Sequence, residues 1–335
     1  MRREAWYNEA EDLWEFRGSS FGSCMHGLVM ALRGHEKGSP DLRSRVRFAA
    51  GNSSEARIKN DLVDVGAASR FAPDGPDLGV MWDAGDTYLT QRTVRGYHVF
   101  GPKMCSTTTQ LYPRKPDHDA AVVQCSLDGW GIGLQEFVQR AGSVYRTVPS
   151  LMGMTGCSWV WEHKSMSPEK FASLLECTHP ASTNHLDPFL FRQRFLQYAW
   201  QVQAQAGGLH ELLWHEIYRH EPPANHDFLV WPRAFISVEV LHNVAGDYLP
   251  VGRHLFYLEM TSQLAGCIAT RLREVLRLYR AGEVPKCDSE FRCEWPVPEP
   301  PKRTGTGPIS VSKHEGGPKD APGYPKTGLD LSLIK

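Results

Sequence analysis

The sequence predicts an α/β domain with a central mixed sheet flanked by helices. Segments with apolar residues at helical spacing alternate with short apolar runs of strand length, in the order helix, helix, strands, helix, strand, helix. The chain has 335 residues, 41% of them hydrophobic, which is enough apolar surface for a sizeable core.

The first helix is expected over residues 19–34, with Ser19 or Ser20 as its cap and Leu28, Val29 and Leu32 on its apolar face. A second is expected over 53–65, where Ile58, Leu62 and Val65 recur at helical spacing behind Ser54. Residues 67–92 are rich in Gly and Asp and lack periodicity, which predicts a long loop or insertion. Strands are expected at 97–100, 120–127 and 158–163, a helix at 193–206, and further strands at 228–231 and 235–241. A long helix over 255–280 places Arg271, Arg273, Arg277 and Arg280 near its C-terminal end, where the helix dipole favours cations. Together these form one domain over residues 1–295. Residues 296–335 carry almost no large apolar side chain before Leu329, too little to offset the entropy of ordering, and are expected to be unstructured.

Lys and Arg total 37 and Asp and Glu 38, so the net charge is −1. That balance excludes a global basic field, and any nucleic-acid surface must be a local groove of Arg and Lys. No window reaches the ~20 apolar residues that cross a bilayer. The charged, aromatic start does not read as a signal peptide. A soluble, cytoplasmic protein without a membrane partner is expected. Eight cysteines are scattered along the chain, the pattern of reduced thiols rather than of a disulfide framework.

Three short segments carry chemistry. Cys125-Ser126-Leu127-Asp128-Gly129 is an apolar strand ending in Asp-Gly. Val160-Trp161-Glu162-His163-Lys164 is an apolar strand ending in Glu-x-Lys. Gln201-Val202-Gln203 lies on the helix that follows. Residues two apart on a strand face one side, so Glu162 and Lys164 point together and His163 points away. If the Asp128 strand pairs beside that one, two carboxylates and an ammonium converge. Hard divalent cations take carboxylate oxygens, water and substrate phosphate, and a lysine can position the attacking water. The set suffices for metal-assisted phosphodiester hydrolysis. The competing reading is a hairpin turn at Asp128-Gly129 and a solvated Glu162/Lys164 pair.

These pieces, with two more, resemble the PD-(D/E)XK nuclease superfamily. The similarity is to its phage lambda-exonuclease or YqaJ-like branch, with Cas4/RecB-like features, over roughly residues 15–245. The further pieces are Arg17 to Cys24 (RGSSFGSC), similar to the start of the N-terminal helix, and Gly51 to Glu55 (GNSSE), similar to the G-x-x-x-E/H motif. Residues 127–129 resemble the DG strand, 161–164 the E-x-K strand, and 198–203 the Q-x-Q helix. The resemblance implies the restriction-endonuclease-like fold and one or two Mg²⁺ or Mn²⁺ ions. Asp128, Glu162 and the backbone carbonyl of His163 would be ligands, and Glu55 would complete a shell. Lys164 would act on the attacking water, with Gln201 as its brace. Arg17 and Ser20 would hold a terminal 5′ phosphate, where a helix start and an arginine favour an anion. Gln203 is the weaker of two glutamines that cannot share a helix face. The long 67–92 segment and His163, at a position usually aliphatic or small, depart from the family pattern.

Related domains hold an iron–sulfur cluster on one N-terminal and three C-terminal cysteines. Cys24, Cys287 and Cys293 match three of those places and the fourth is missing, so reduced thiols are the leading reading, with a cluster or Zn²⁺ behind it. The tip Asp330-Leu331-Ser332-Leu333-Ile334 resembles the bacterial sliding-clamp binding peptide, with Asp330 where Gln usually stands. The expected function is metal-dependent DNA exonuclease action, 5′ to 3′ on duplex ends in phage recombination, in the host cytoplasm if phage-encoded. A single-strand annealing protein and the sliding clamp are the implied partners. The alternatives are a Cas4/RecB-like nuclease with single-strand or endonuclease action, and a catalytically inactive DNA-binding recombination scaffold.

Overall fold

The computed structural model describes residues 4–287 apart from 12, 20, 22–23, 36–38, 71–86, 90–92, 100–120, 152–157, 181, 183, 220–231 and 261. The expected 228–231 strand and the 296–335 tail lie outside the described residues. Met1–Pro296 form one compact unit. The architecture is α/β with two mixed sheets.

The smaller sheet has the order β1 (Ala5–Asn8), β2 (Leu13–Arg17), β6 (Ala121–Ser126), β5 (Thr93–Val99). The larger has the order β3 (Ser69–Arg70), β4 (Thr87–Leu89), β7 (Gly129–Ile132), β8 (Ser158–Met166), β10 (Arg233–Val244), β11 (Asp247–Leu258), β9 (His185–Leu186). β7 runs antiparallel to β8, and β8 parallel to β10. The chain leaves the smaller sheet at Ser126 and enters the larger at Gly129, so Leu127 and Asp128 form the seam between them.

The period-2 rule divides the larger sheet between two cores. Trp159 and Trp161 of β8, Phe235 of β10, and Leu255 and Tyr257 of β11 face one side. They pack there on Ile58 and Leu62 of α2 (Leu42–Asp64) and on Phe137 of α3 (Leu134–Ala141). Val160, Ile236, Val238, Phe256 and Leu258 face the other side. They meet α6 (Leu196–Arg219), α7 (Ser262–Arg280) and α1 (Met25–Leu32). α4 (Pro168–Leu175) and α5 (Pro188–Arg194) complete the helices among the described residues. Gly208 sets the distance of α6 from β5, because an added Cβ would lie 2.5 Å from Val94 Cγ2. No helix among the described residues is long and apolar enough to cross a membrane.

Several expected boundaries move. α1 begins at Met25, where the Cys24 sulfur accepts from the Gly27 amide at 3.3 Å, rather than at residue 19. α2 begins at Leu42, eleven residues before the expected start, capped by Asp41 Oδ1 on the Ser44 amide at 2.6 Å. Its added turns bury almost nothing, so apolar periodicity could not reveal them. Residues 255–258 belong to β11 rather than to the last helix. A hairpin turn with left-handed Ala245 and Gly246 returns the chain from β10 along β11.

One charged cluster ties α2 to the sheet. Glu239 of β10 is fully buried and accepts from Arg57 of α2 and, at 2.9 Å, from Arg253 Nε of β11. Arg253 also pairs with Asp61 of α2. Arg253→Ala leaves the buried carboxylate with one cation instead of two, and is expected to cost on the order of 3 kcal/mol. Urea unfolding measures this, and a loss below about 0.5 kcal/mol, the usual range for a surface position, would show the pair to be unimportant.

Candidate active site

Asp128 and Glu162 meet because the strand after Asp128, and not the one before it, pairs with β8. Gly129 lies opposite Trp161, which sets the preceding Asp128 beside Glu162. The backbone N–H of His163 donates to Asp128 Oδ2 at 3.4 Å. Strand alternation then sends Glu162 and Lys164 to the α6 side and the His163 ring to the α2 side, as the spacing predicts.

Glu162 is 1% exposed and Lys164 16%. Glu162 Oε1 accepts from Lys164 Nζ and from Gln201 Nε2, the latter at 2.7 Å. Gln201 Oε1 in turn accepts from Lys164 Nζ at 3.0 Å, and the Tyr198 ring lies 5.0 Å from that ammonium. Gln205, four residues along α6, donates to Glu162 Oε2 at 2.5 Å and to the Ser126 carbonyl at 3.0 Å. Gln201 therefore bridges Lys164 and Glu162. Gln205 is the residue that sequence reasoning missed, and its signal was the i, i+4 spacing from Gln201, which places both on one helix face. Gln203 is buried on another face of the helix.

These groups back onto a cleft of about 760 Å³ lined by Asp128 and Gln201, by Arg17 and Ser19, and by Glu55 and Lys59 of α2. Glu55 and Lys59 pair at 2.6 Å. Lys59 is a second missed residue. Gly51 allows α2 its approach to β8, since an added Cβ would lie 3.1 Å from Ser165 Oγ. Ser20, Cys293 and the tip residues Asp330, Leu331, Leu333 and Ile334 lie outside the described residues. Cys24 and Cys287 come together, with their sulfurs 3.6 Å apart.

The electrostatics is that of crowded carboxylates. Burial, then the charges of Glu162 and Glu55, push the Asp128 carboxyl well above the usual carboxylate range, against opposing pulls from Lys59 and Lys164. Burial works to lower the Lys164 pKa, but the charge and hydrogen bond of Glu162, with Asp128, outweigh it and raise it, so the ammonium stays protonated. Among the described residues, no three His, Cys, Asp or Glu side chains form a ready metal cage. The donor set still fits a hard divalent cation. Carboxylate oxygens predominate, their mutual repulsion calls for positive charge, and Mg²⁺ needs only one or two of them beside water and phosphate.

The His163 ring lies on the opposite side of β8 from the Glu162 and Lys164 side chains. Its Nε2 lies 2.8 Å from Ser54 Oγ and its Nδ1 3.1 Å from Ser237 Oγ, which also accepts from the Tyr145 hydroxyl. Burial, with lesser pushes from Lys164, Lys59, Arg253 and Arg57, lowers its pKa from 6.5 to about 3. Below pH 6.5 the unfolded chain takes up a proton that the folded chain refuses. Stability is therefore expected to fall as pH drops from 6.5 towards 3, by up to about 1.4 kcal/mol per unit from this group. The thermal midpoint of His163→Gln should depend less on pH over that window, and parallel curves for variant and wild type would refute the assignment.

A scan of the chain against protein-family models found no match, and a search of curated proteins found none either.

Proposed function

We propose that the protein is a metal-dependent nuclease of PD-(D/E)XK type that hydrolyses DNA phosphodiester bonds, as an exonuclease on duplex ends. The observation that carries this reading is the meeting of Asp128, Glu162 and Lys164 behind one wall of the cleft, braced by Gln201 and Gln205. Asp128, Glu162 and Glu55 would hold the cation. When bound, Mg²⁺ or Mn²⁺ lowers the pKa of water and offsets charge building on the phosphate.

The chain's own residues do the rest. Lys164 stays cationic and meets the attacking water and the phosphate as a point charge. Gln201 holds that ammonium in place, accepting from it while donating to Glu162. Gln205 fixes the other oxygen of Glu162, so the carboxylate cannot rotate away. Arg17 and Ser19, on the lining of the same cleft, suit a terminal phosphate. The 5′-to-3′ polarity and the role in recombination come from the family resemblance.

The test incubates the protein with 5′-phosphorylated linear and with circular duplex DNA, in Mg²⁺ and in EDTA. Loss of linear DNA alone, only with Mg²⁺, supports the exonuclease. Nicked circles favour the Cas4/RecB-like reading, which the closeness of Cys24 and Cys287 also suits. No cleavage under any condition refutes the nuclease and leaves a DNA-binding scaffold.

A further inference from the structure

The first half of α2 stands out into solvent. Residues 42–54 hold three arginines and no acidic side chain. Phe48 is 62% exposed, and Arg45 is exposed beside it. Large aromatics on a free surface mark contact sites when they join a functional groove. This one does. Arg45, Phe48, Asn52, Glu55 and Lys59 follow one another at intervals of three, four, three and four residues, so they form one stripe along the helix. The last three line the cleft. The stripe runs roughly 21 Å from open solvent to the carboxylates.

We propose that this stripe holds an unpaired DNA strand on its way to the cleft, with Arg45 on a backbone phosphate and Phe48 against the face of a base. The inference rests on the nuclease reading and adds the form of substrate that reaches the site. Charge selects a polyanion, because Arg45 is the charged group at the stripe's outer end, ahead of Glu55 and Lys59, and an exposed arginine with no acidic residue between positions 42 and 54 attracts phosphate. The aromatic selects the single strand, because stacking within a duplex hides the base faces that an unpaired strand offers to an aromatic side chain. Continuity with the cleft gives the strand a destination.

The experiment measures fluorescence anisotropy of two labelled DNAs in EDTA, where no turnover occurs. One is a blunt duplex and the other carries a single-stranded extension. Phe48→Ala is expected to weaken binding of the extended DNA about tenfold, with less than about twofold change for the blunt one. Phe48→Tyr should retain wild-type affinity. Arg45→Gln should lower the salt slope for the extended DNA by about one. Both positions are exposed, so circular dichroism melts of the variants should match wild type. Equal affinities of Phe48→Ala and wild type for the extended DNA would overturn the proposal and leave the nuclease reading standing. So would a change in sedimentation mass with no change in affinity, which would assign Phe48 to a contact between copies. Failure of the wild type to bind the extended DNA better than the blunt one would overturn the proposal, while the cleavage test decides the nuclease reading separately.

Discussion

Under the proposed function, Asp128→Asn and Lys164→Ala are each expected to lose roughly 10³-fold or more in the rate of DNA cleavage at saturating Mg²⁺, while the folded structure persists. Asp128 is the carboxylate at the seam of the two sheets, and asparagine keeps its shape but lacks the charge a cation requires. Lys164 is the ammonium fixed between Glu162 and Gln201. Each is expected to contribute several kcal/mol to the transition state, and each 1.4 kcal/mol is a factor of ten in rate. Gel assays of linear DNA with matched circular dichroism spectra separate lost chemistry from lost folding. A rate within tenfold of wild type for either variant would remove that residue from the centre.

Asp128→Asn is also expected to melt a few degrees above wild type when no divalent cation is present. The carboxyl ionises near 3.8 in an unfolded chain and only at higher pH in the folded one, because burial and the charges of Glu162 and Glu55 oppose it. The folded state thus binds the extra proton. Stability falls as pH rises from about 4 through the folded pKa, and remains lowered above it. At neutral pH the wild type carries that penalty and the asparagine variant does not. A bound cation is expected to reverse the order. Mg²⁺ should raise the wild-type midpoint by mass action and leave that of Asp128→Asn nearly unmoved. A variant that melts lower in EDTA, or that gains as much from Mg²⁺, would show that Asp128 neither suffers the repulsion nor holds the ion.

The chemistry-bearing strands were legible because each is an apolar run ending in charged residues, and alternation alone separated Glu162 and Lys164 from His163. Gln205 was not, because the Q-x-Q resemblance points to Gln203, whereas the glutamine that shares a helix face with Gln201 is the one four residues on. The start of α2 was invisible for a related reason: Leu42, Val46 and Phe48 are apolar but exposed, so no periodic face marks them. The β1–β2 hairpin, with Trp6, Trp14 and Phe16, lacks the run length that identified other strands. The end of β11 overlaps the helix expected from residue 255, since Leu255 to Leu258 is a continuous apolar run that suits either state. That Asp128 would fall between two sheets could not be read at all, because pairing partners are set by tertiary packing.

Under the proposed function, the placement of Asp128 would make catalysis answerable to the joint between two independently hydrogen-bonded frameworks. Glu162 and Lys164 ride on one of them, Arg17 and Gln124 on the other, and the aspartate belongs to the two-residue link. A slide of one framework against the other would therefore shift Arg17 relative to Glu162 and Lys164 while leaving every strand intact. Under the proposed function, turnover would act as a coincidence detector, reporting that both halves are seated well before any loss of secondary structure would show that they are not.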